Sequence, residues 1–121
     1  MHEFSIAQAL VDAAVEEARR AGAQRVNKLT CRIGALRQVN DLLMQEVFGI
    51  ARADTLCADA ELVIEKTYLR ATCPRCRVTF AVRDWDWTCA SCGTLGENPA
   101  GGDELELLSL EAEVPDEGRS S

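Results

Sequence analysis

The sequence predicts an α/β body of two helices packed on a three-stranded sheet, in the order α-β-α-β, insertion, β. Three observations support this fold class. Apolar residues recur at helical spacing in two stretches, three other stretches have the character of strands, and four of the six cysteines cluster between the second and third strands. A chain of 121 residues accommodates one such domain with a small appendage. The cysteine-rich insertion is therefore expected to join the sheet at both of its ends.

Residues 5–20 are predicted to form the first helix, because apolar residues recur on one face at helical spacing. Ser5 begins a sequence that fits a capping box, and a cap one or two residues earlier fits the same pattern. Gly22 follows as the stop signal. In either case the N-terminus of the chain lies next to the first helical turn.

The next elements of the body follow from the same kind of pattern. Residues 25–33 alternate between apolar and polar side chains, which is typical of a half-buried strand. Asn40 or Asp41 is expected to cap the second helix, and residues 61–69 are predicted to form the second strand. The inward residues of the second helix are predicted to be Leu43, Val47, Phe48 and Ala51.

Residues 103–114 are predicted to form the third strand, whose apolar phase slips between Leu107 and Leu108 as it does at a β-bulge. These elements divide the chain into three parts. The parts are an α/β domain of residues 1–69 plus 103–114, an inserted ribbon with its connector at residues 70–102, and a disordered tail at residues 115–121.

The net charge of −7 is concentrated at one end of the chain. Residues 97–121 hold eight of the 20 acidic residues and one base, Arg119, so the rest of the chain is neutral overall. Nucleic acid is therefore not an expected partner, because polyphosphate binding depends on cationic side chains. No apolar run approaches the roughly 20 residues of a membrane span, and the N-terminus lacks a secretory signal. The protein is predicted to be cytoplasmic, with no membrane partner.

Two C-x-x-C pairs, Cys73/Cys76 and Cys89/Cys92, are separated by twelve residues. Each pair is expected to form a knuckle whose two thiolates point at one ion, and two knuckles complete the tetrahedral sulfur shell that zinc prefers. Four protein ligands leave no open position, so the predicted zinc is structural. Two disulfides, a redox-active pair and an iron centre stay open as alternatives for these residues.

The other two cysteines receive no role from the sequence. Cys31 is on the inward face of a predicted strand, where a small buried hydrophobic residue is expected. Cys57 follows the second helix, in a region compatible with exposure.

His2 is the only histidine in the chain. The ordinary interpretation of a lone histidine is a surface residue. The Met1 α-amine, the His2 backbone nitrogen and the imidazole Nδ1 are also able to close two fused chelate rings, a donor set that suits Ni(II) or Cu(II). Glu3 adds a further backbone nitrogen and a carboxylate. Both interpretations stay open on chemistry alone.

Two other classes of function compete at this point. A zinc-ribbon adaptor for protein or RNA partners fits the ribbon, although its charge falls to about zero once a zinc tetrathiolate is counted, which disfavours RNA. An enzyme fits poorly, because the chain has no Gly-rich phosphate loop, no nucleophile beside a base and no open metal position.

The chain resembles the HypA/HybF family of hydrogenase nickel-incorporation proteins over residues 1–114. The matching residues are the opening Met1–Gln8, Arg32-Ile33-Gly34, the four-cysteine ribbon, and residues 102–105 and 108–111. The resemblance implies a nickel metallochaperone for [NiFe]-hydrogenase maturation, with Ni(II) as transient cargo and Zn(II) as a structural ion. It makes His2 the essential nickel ligand beside the Met1 amine and the Glu3 backbone. It assigns zinc to Cys73, Cys76, Cys89 and Cys92.

The resemblance also implies partners, namely a HypB-type GTPase and the hydrogenase large-subunit precursor, and some relatives serve urease. Monomer and homodimer both stay open. The chain departs from the family at three positions. Ala35 and Asn40 stand where many members have an acid, with Asp41 one place on, and Arg77 ends the first knuckle where a small residue is common.

Overall fold

The computed structural model describes residues 2–115, which form two helices and two three-stranded sheets. The helices are α1 (His2–Arg20) and α2 (Asp41–Ala51), and a short 3₁₀ turn covers Ala35–Arg37. The strands are β1 (Arg25–Gly34), β2 (Glu61–Thr67), β3 (Arg70–Thr72), β4 (Thr79–Ala81), β5 (Glu97–Ala100) and β6 (Leu105–Glu113). The first sheet has the order β2-β1-β6 and the second has the order β4-β3-β5. The predicted fold class is confirmed, with β3 to β5 inserted between the second and third strands of the body.

The chain divides into two compact units by its internal contacts. The first unit contains the described residues up to Cys31, residues 39–65 and those from Glu106 onward, and the second contains residues 32–38 and 66–105. The division assigns residues 32–38 to the unit that holds the cysteine pairs, whereas the sequence pattern assigns them to the body. The predicted domain boundaries stay a prediction, and most of the predicted tail lies outside the described residues.

The core of the first unit contains buried residues of both helices and of β1. Helix α1 packs against α2, and the buried side chains of both helices follow the helical repeat. Leu29 of β1 and Met44 of α2 are fully buried in this unit. Within residues 2–115 the structure contains no helix with the length and apolarity needed to cross a bilayer.

The start of α1 differs from the prediction. The helix begins at His2, so Ser5 lies inside it and the capping box predicted there is wrong. Glu3 in the first turn favours the earlier start, because a negative side chain interacts well with the positive end of the helix dipole. The consequence is that His2 belongs to the first turn of a regular helix.

The buried face of α2 agrees with the prediction at Val47, Phe48 and Ala51 and differs at one position. Met44 is fully buried, whereas Leu43, predicted to point inward, is 38% exposed. The buried residues therefore follow the i, i+3, i+4, i+7 pattern of one helical face. They are Met44, Val47, Phe48 and Ala51.

The predicted change of phase in the last strand is visible in its burial. Leu105, Leu107 and Leu110 are half-buried, whereas Leu108 is exposed, so the alternation shifts by one residue after Leu107. Ala112, which shares the alternation of Leu110, is exposed.

The second unit has its own small core around β3. Leu69, Ala71 and Val82 are buried there, and Phe80 and Trp87 pack against them. β3 pairs antiparallel with both β4 and β5, with Ala71 opposite Phe80. Leu69 was predicted to end the second body strand, but β2 stops at Thr67 and Leu69 belongs to this cluster.

Both cysteines outside the two pairs are fully buried, which confirms the interpretation of Cys31 and shows that Cys57 is not exposed. Burial raises the pKa of Cys31 to about 11 and also raises the pKa of Cys57, because an apolar environment disfavours a thiolate. Both thiols are therefore protonated and unreactive at neutral pH.

Candidate metal centre

The four cysteines of the two C-x-x-C pairs come together in the second unit. Their sulfur atoms all lie within 4.8 Å of one another, and the Sγ atoms of Cys73 and Cys92 are 3.5 Å apart. A tetrahedral ion with metal–sulfur bonds of about 2.3 Å requires sulfur–sulfur distances of about 3.8 Å. The cluster therefore fits a single tetrahedral metal ion. All six cysteines of the chain are free thiols, so the two-disulfide alternative has no support in this geometry.

The first pair is held by a tight turn between Cys73 and Val78. The Cys73 amide donates a hydrogen bond to the Val78 carbonyl at 2.9 Å, and the Arg77 amide donates to the Cys73 carbonyl at 2.8 Å. The Cys76 amide lies 3.3 Å from the Cys73 sulfur, to which it donates. Backbone hydrogen bonds thus aim both thiols at the same point.

The second pair is held by a turn of the same kind, between Cys89 and Thr94. The Cys89 amide donates to the Thr94 carbonyl at 2.9 Å, and the Gly93 amide donates to the Cys89 carbonyl at 2.8 Å. These two hydrogen bonds correspond to those of the first turn, at positions sixteen residues further along the chain. The two knuckles are therefore copies of one six-residue structure.

Arg77 and Gly93 occupy equivalent positions, and both have left-handed backbones, with φ of 62° and 77°. Glycine adopts this conformation without a steric penalty, whereas a side chain such as that of arginine disfavours it. The departure at Arg77 therefore leaves the turn unchanged, but the backbone there is strained.

The surroundings of the thiols are not equivalent. Hydrogen bonds from the Thr94 hydroxyl and amide stabilise the Cys92 thiolate and lower its pKa to about 6. The hydrogen bond to Cys92, followed by burial, raises the pKa of Cys76 to about 12. Four thiols this close cannot all ionise unless a cation offsets their charge, so the donor set matches a divalent metal.

The predicted nickel residues lie at the start of α1. His2 is exposed, and its Nδ1 atom lies 4.0 Å from Oε1 of Glu3. Met1 lies outside the described residues, so the nickel ligand set stays a prediction.

The Glu3 carboxylate is held by the residue that caps α2, a contact that the sequence did not reveal. Its Oε2 atom accepts a hydrogen bond of 3.1 Å from the Asn40 backbone amide, and its side chain is only 13% exposed. The Asn40 side chain in turn accepts from the Leu43 amide at 2.9 Å and caps α2. The Asn40 hydrogen bond is the largest cause of a lowered Glu3 pKa, so this carboxylate is ionised beside His2 at neutral pH.

Two further residues of these sites were not found by sequence reasoning. The sequence predicts Asn40 as a possible cap of the second helix but not as the partner of Glu3, because a backbone contact across 37 residues leaves no local signal. Thr94 stands two residues after Cys92, and only that spacing hinted at its contact with the thiol.

Comparison with known proteins identifies the family. Residues 1–112 match the family model described as hydrogenase/urease nickel incorporation, metallochaperone, hypA. The hydrogenase maturation factor HypA of Wolinella succinogenes is 34% identical over 119 residues, covering 98% of this chain and 100% of that protein. The corresponding factor of a Roseiflexus species is 37% identical over 114 residues, covering 93% of each.

The fold has a counterpart of known structure in the same family. The solution structure of the Ni metallochaperone HypA from Helicobacter pylori superposes with a TM-score of 0.64 at 26% identity, covering 93% of this chain and 98% of that one. The match of the family model spans both the N-terminal residues and the four-cysteine ribbon, and therefore nearly the whole chain. The chain belongs to the HypA family of hydrogenase and urease nickel-incorporation metallochaperones.

Proposed function

We propose that this chain binds Ni(II) through the Met1 α-amine, the backbone nitrogen and imidazole of His2, and the Glu3 backbone, and delivers it during maturation of a [NiFe]-hydrogenase. The observation that carries the proposal is the position of His2, an exposed imidazole in the first turn of α1 with an ionised carboxylate 4.0 Å away. Amine, amide and imidazole nitrogens form the planar donor set that Ni(II) favours.

The helix supports this role. The first four amide groups of any α-helix lie outside its i to i−4 hydrogen-bond ladder. Ligation of nickel by the amides of His2 and Glu3 therefore breaks no helical hydrogen bond. A carrier has to release its cargo, and a site at the end of a helix releases its donors one at a time without unfolding the core.

We also propose that Cys73, Cys76, Cys89 and Cys92 hold a structural zinc ion. When bound, the ion offsets the charge of the four thiolates and fixes the two knuckles against each other. The sulfur–sulfur distances and the closed ligand set support zinc over a catalytic metal. Iron shares the same ligand geometry, so metal analysis of the purified protein decides between them.

The partners and compartment follow from the same proposal. A HypB-type GTPase and the hydrogenase large-subunit precursor are the proposed partners, in the cytoplasm. The relatives are hydrogenase maturation factors, which favours a carrier over a zinc-ribbon adaptor or an enzyme.

Calorimetry with Ni(II) and the untagged, zinc-loaded chain tests the nickel site. His2→Ala should abolish stoichiometric nickel binding while the zinc content and helical signal are retained. Ser5→Ala, an exposed position in the same part of α1, serves as the matched control and should bind as the wild type does. Unchanged nickel affinity in His2→Ala would refute the assignment.

A further inference from the structure

The turn that joins Arg83 to Asp86 in the second unit is strained. The Asp86 amide donates to the Arg83 carbonyl at 3.0 Å, and the two residues form an antiparallel bridge. The residues between them, Asp84 and Trp85, both have left-handed backbones, with φ of 55° and 61°. This is the geometry of a type I′ hairpin turn, which favours Asn-Gly and disfavours a large side chain at its second position.

Burial does not compensate for this strain. Trp85 is 65% exposed, whereas Trp87, two residues further on, packs against the core of the same unit. A strained backbone that presents a large aromatic side chain to solvent has no explanation in folding stability. Such features concentrate at sites of recognition.

Trp85 lies at the edge of a cavity of about 230 Å³ within the second unit. Leu36 and Tyr68 also line the cavity, and the buried Leu69 and Val82 close its inner side. The cavity therefore combines an apolar base with two aromatic rings.

The charge of the cavity comes from Asp84, the one ionisable acid or base among the residues that line it apart from the tyrosine. Within residues 2–115 the structure gives Asp84 no ion pair. The guanidinium of Arg83 lies 4.3 Å from the centre of the Tyr68 ring and is not part of the lining. Arg83 thus occupies one face of the Tyr68 ring, and the exposed Trp85 indole and the Asp84 carboxylate are the groups of the lining that remain for a ligand.

We propose that this cavity receives an arginine side chain presented by a partner protein. An exposed indole ring beside a carboxylate matches a guanidinium, which stacks on π faces and forms paired hydrogen bonds with an acid. The amide of Gln38, also in the lining, offers a further acceptor. The proposal is independent of nickel binding.

Nuclear magnetic resonance on the zinc-loaded full chain tests the site, with N-acetylarginine amide as the probe and its neutral isostere N-acetylcitrulline amide as the comparison. The arginine probe should shift the indole N–H signal of Trp85 in a saturable way, about threefold to tenfold more tightly than the citrulline probe. The Trp87 signal should not move. Equal binding of the two probes, or stronger binding of N-acetylleucine amide, would overturn the proposal.

Two variants separate recognition from folding. Asp84→Asn should lower the affinity for the arginine probe to that for the citrulline probe. Asp59→Asn, which removes an exposed acid in the first unit, should leave the affinity for the arginine probe unchanged. Trp85→Gly relieves the left-handed strain, so it should keep or raise the melting temperature of the ribbon. It should also lose binding of the arginine probe, followed in this variant by the backbone amide signals of Leu36 and Val82. Wild-type affinity in either Asp84→Asn or Trp85→Gly contradicts the proposal.

Discussion

The Asn40 backbone amide donates a 3.1 Å hydrogen bond to the Glu3 carboxylate and so ties the first turn of α1 to the start of α2. The carboxylate is thereby held 4.0 Å from the imidazole of His2. A terminal segment that would otherwise fray is anchored at the residue next to the proposed nickel ligand. Changes at Asn40 should therefore act on nickel binding, and loss of the Glu3 carboxylate should also weaken the contact between the two segments.

Asn40→Asp should strengthen nickel binding. An aspartate retains an oxygen acceptor for the Leu43 amide, so the cap of α2 survives, and it adds a negative charge beside Glu3. The expected gain in affinity is about twofold to fivefold at low salt, measured by calorimetry. Asn40→Ser is the matched control, because it keeps the cap without the charge. Equal affinity of the two variants would show that charge at this position does not act on the metal.

Glu3→Gln should remove a pH-dependent contribution to stability. The Asn40 hydrogen bond holds the pKa of Glu3 below its ordinary value of 4.5. A lowered pKa in the folded state means that the stabilisation is complete above the unfolded value and is lost as the pH falls through the folded one. The difference in melting temperature between wild type and Glu3→Gln should therefore shrink between about pH 5 and pH 3. A constant difference across that range would contradict this role.

Nickel affinity should fall as the pH falls. Binding displaces a proton from the α-amine, whose reference pKa is about 7.7–8.0, and a further proton from an amide. Calorimetry from pH 8 to pH 6 should show a loss of about tenfold in affinity for each displaced proton per pH unit. An uncleaved N-terminal tag should block binding, because it converts the amine to an amide. Normal binding by the tagged chain would count against the amine.

Arg77→Gly should stabilise the ribbon. The left-handed backbone at this residue disfavours any side chain, and glycine at the equivalent Gly93 shows the unstrained alternative. The expected gain is about 1 kcal/mol in the free energy of unfolding of the zinc-saturated protein, measured by denaturant titration. Gly93→Ala should cost a similar amount, since a Cβ there meets no atom within 4 Å and only the backbone is affected.

Cys73→Ser should release the metal and unfold the ribbon before the first unit. Both tryptophans of the chain, Trp85 and Trp87, lie in the second unit, so their fluorescence reports that unit alone. The helical circular dichroism signal should persist, because α1 and the residues of α2 belong to the first unit. Ser91→Ala, within the second knuckle, is the control and should retain one equivalent of metal. A simultaneous loss of both signals in Cys73→Ser would show that the units do not unfold separately.

Features with a local cause could be predicted from the sequence. The spacing of the four cysteines indicated one metal site, because each C-x-x-C turn is closed by bonds among neighbouring residues. The α-β-α-β order and the insertion followed from hydrophobic periodicity. The cap of α2 at Asn40 was one of the two predicted, since asparagine is a preferred capping residue.

Features set by tertiary contacts could not be predicted. The choice between Leu43 and Met44 as the buried residue depends on how α2 faces its neighbours, and both side chains are apolar. The contact between Glu3 and Asn40 uses a backbone donor that every residue except proline carries. The exposure of Trp85 is opposite to the usual behaviour of a tryptophan in a small apolar cluster, so only the structure reveals it.

The two knuckles share one backbone structure, so the four-cysteine site is built from two copies of the same six-residue turn. Residues 73–78 and 89–94 share their backbone bonds, so the second hexapeptide should substitute for the first and give a chain with two identical halves around the ion. A site made of two copies of this turn requires no further backbone hydrogen bonds from the rest of the protein, because each turn is closed by its own residues. Side chains within the two turns are then able to differ, as those of Arg77 and Gly93 do, while the backbone around the ion keeps its geometry.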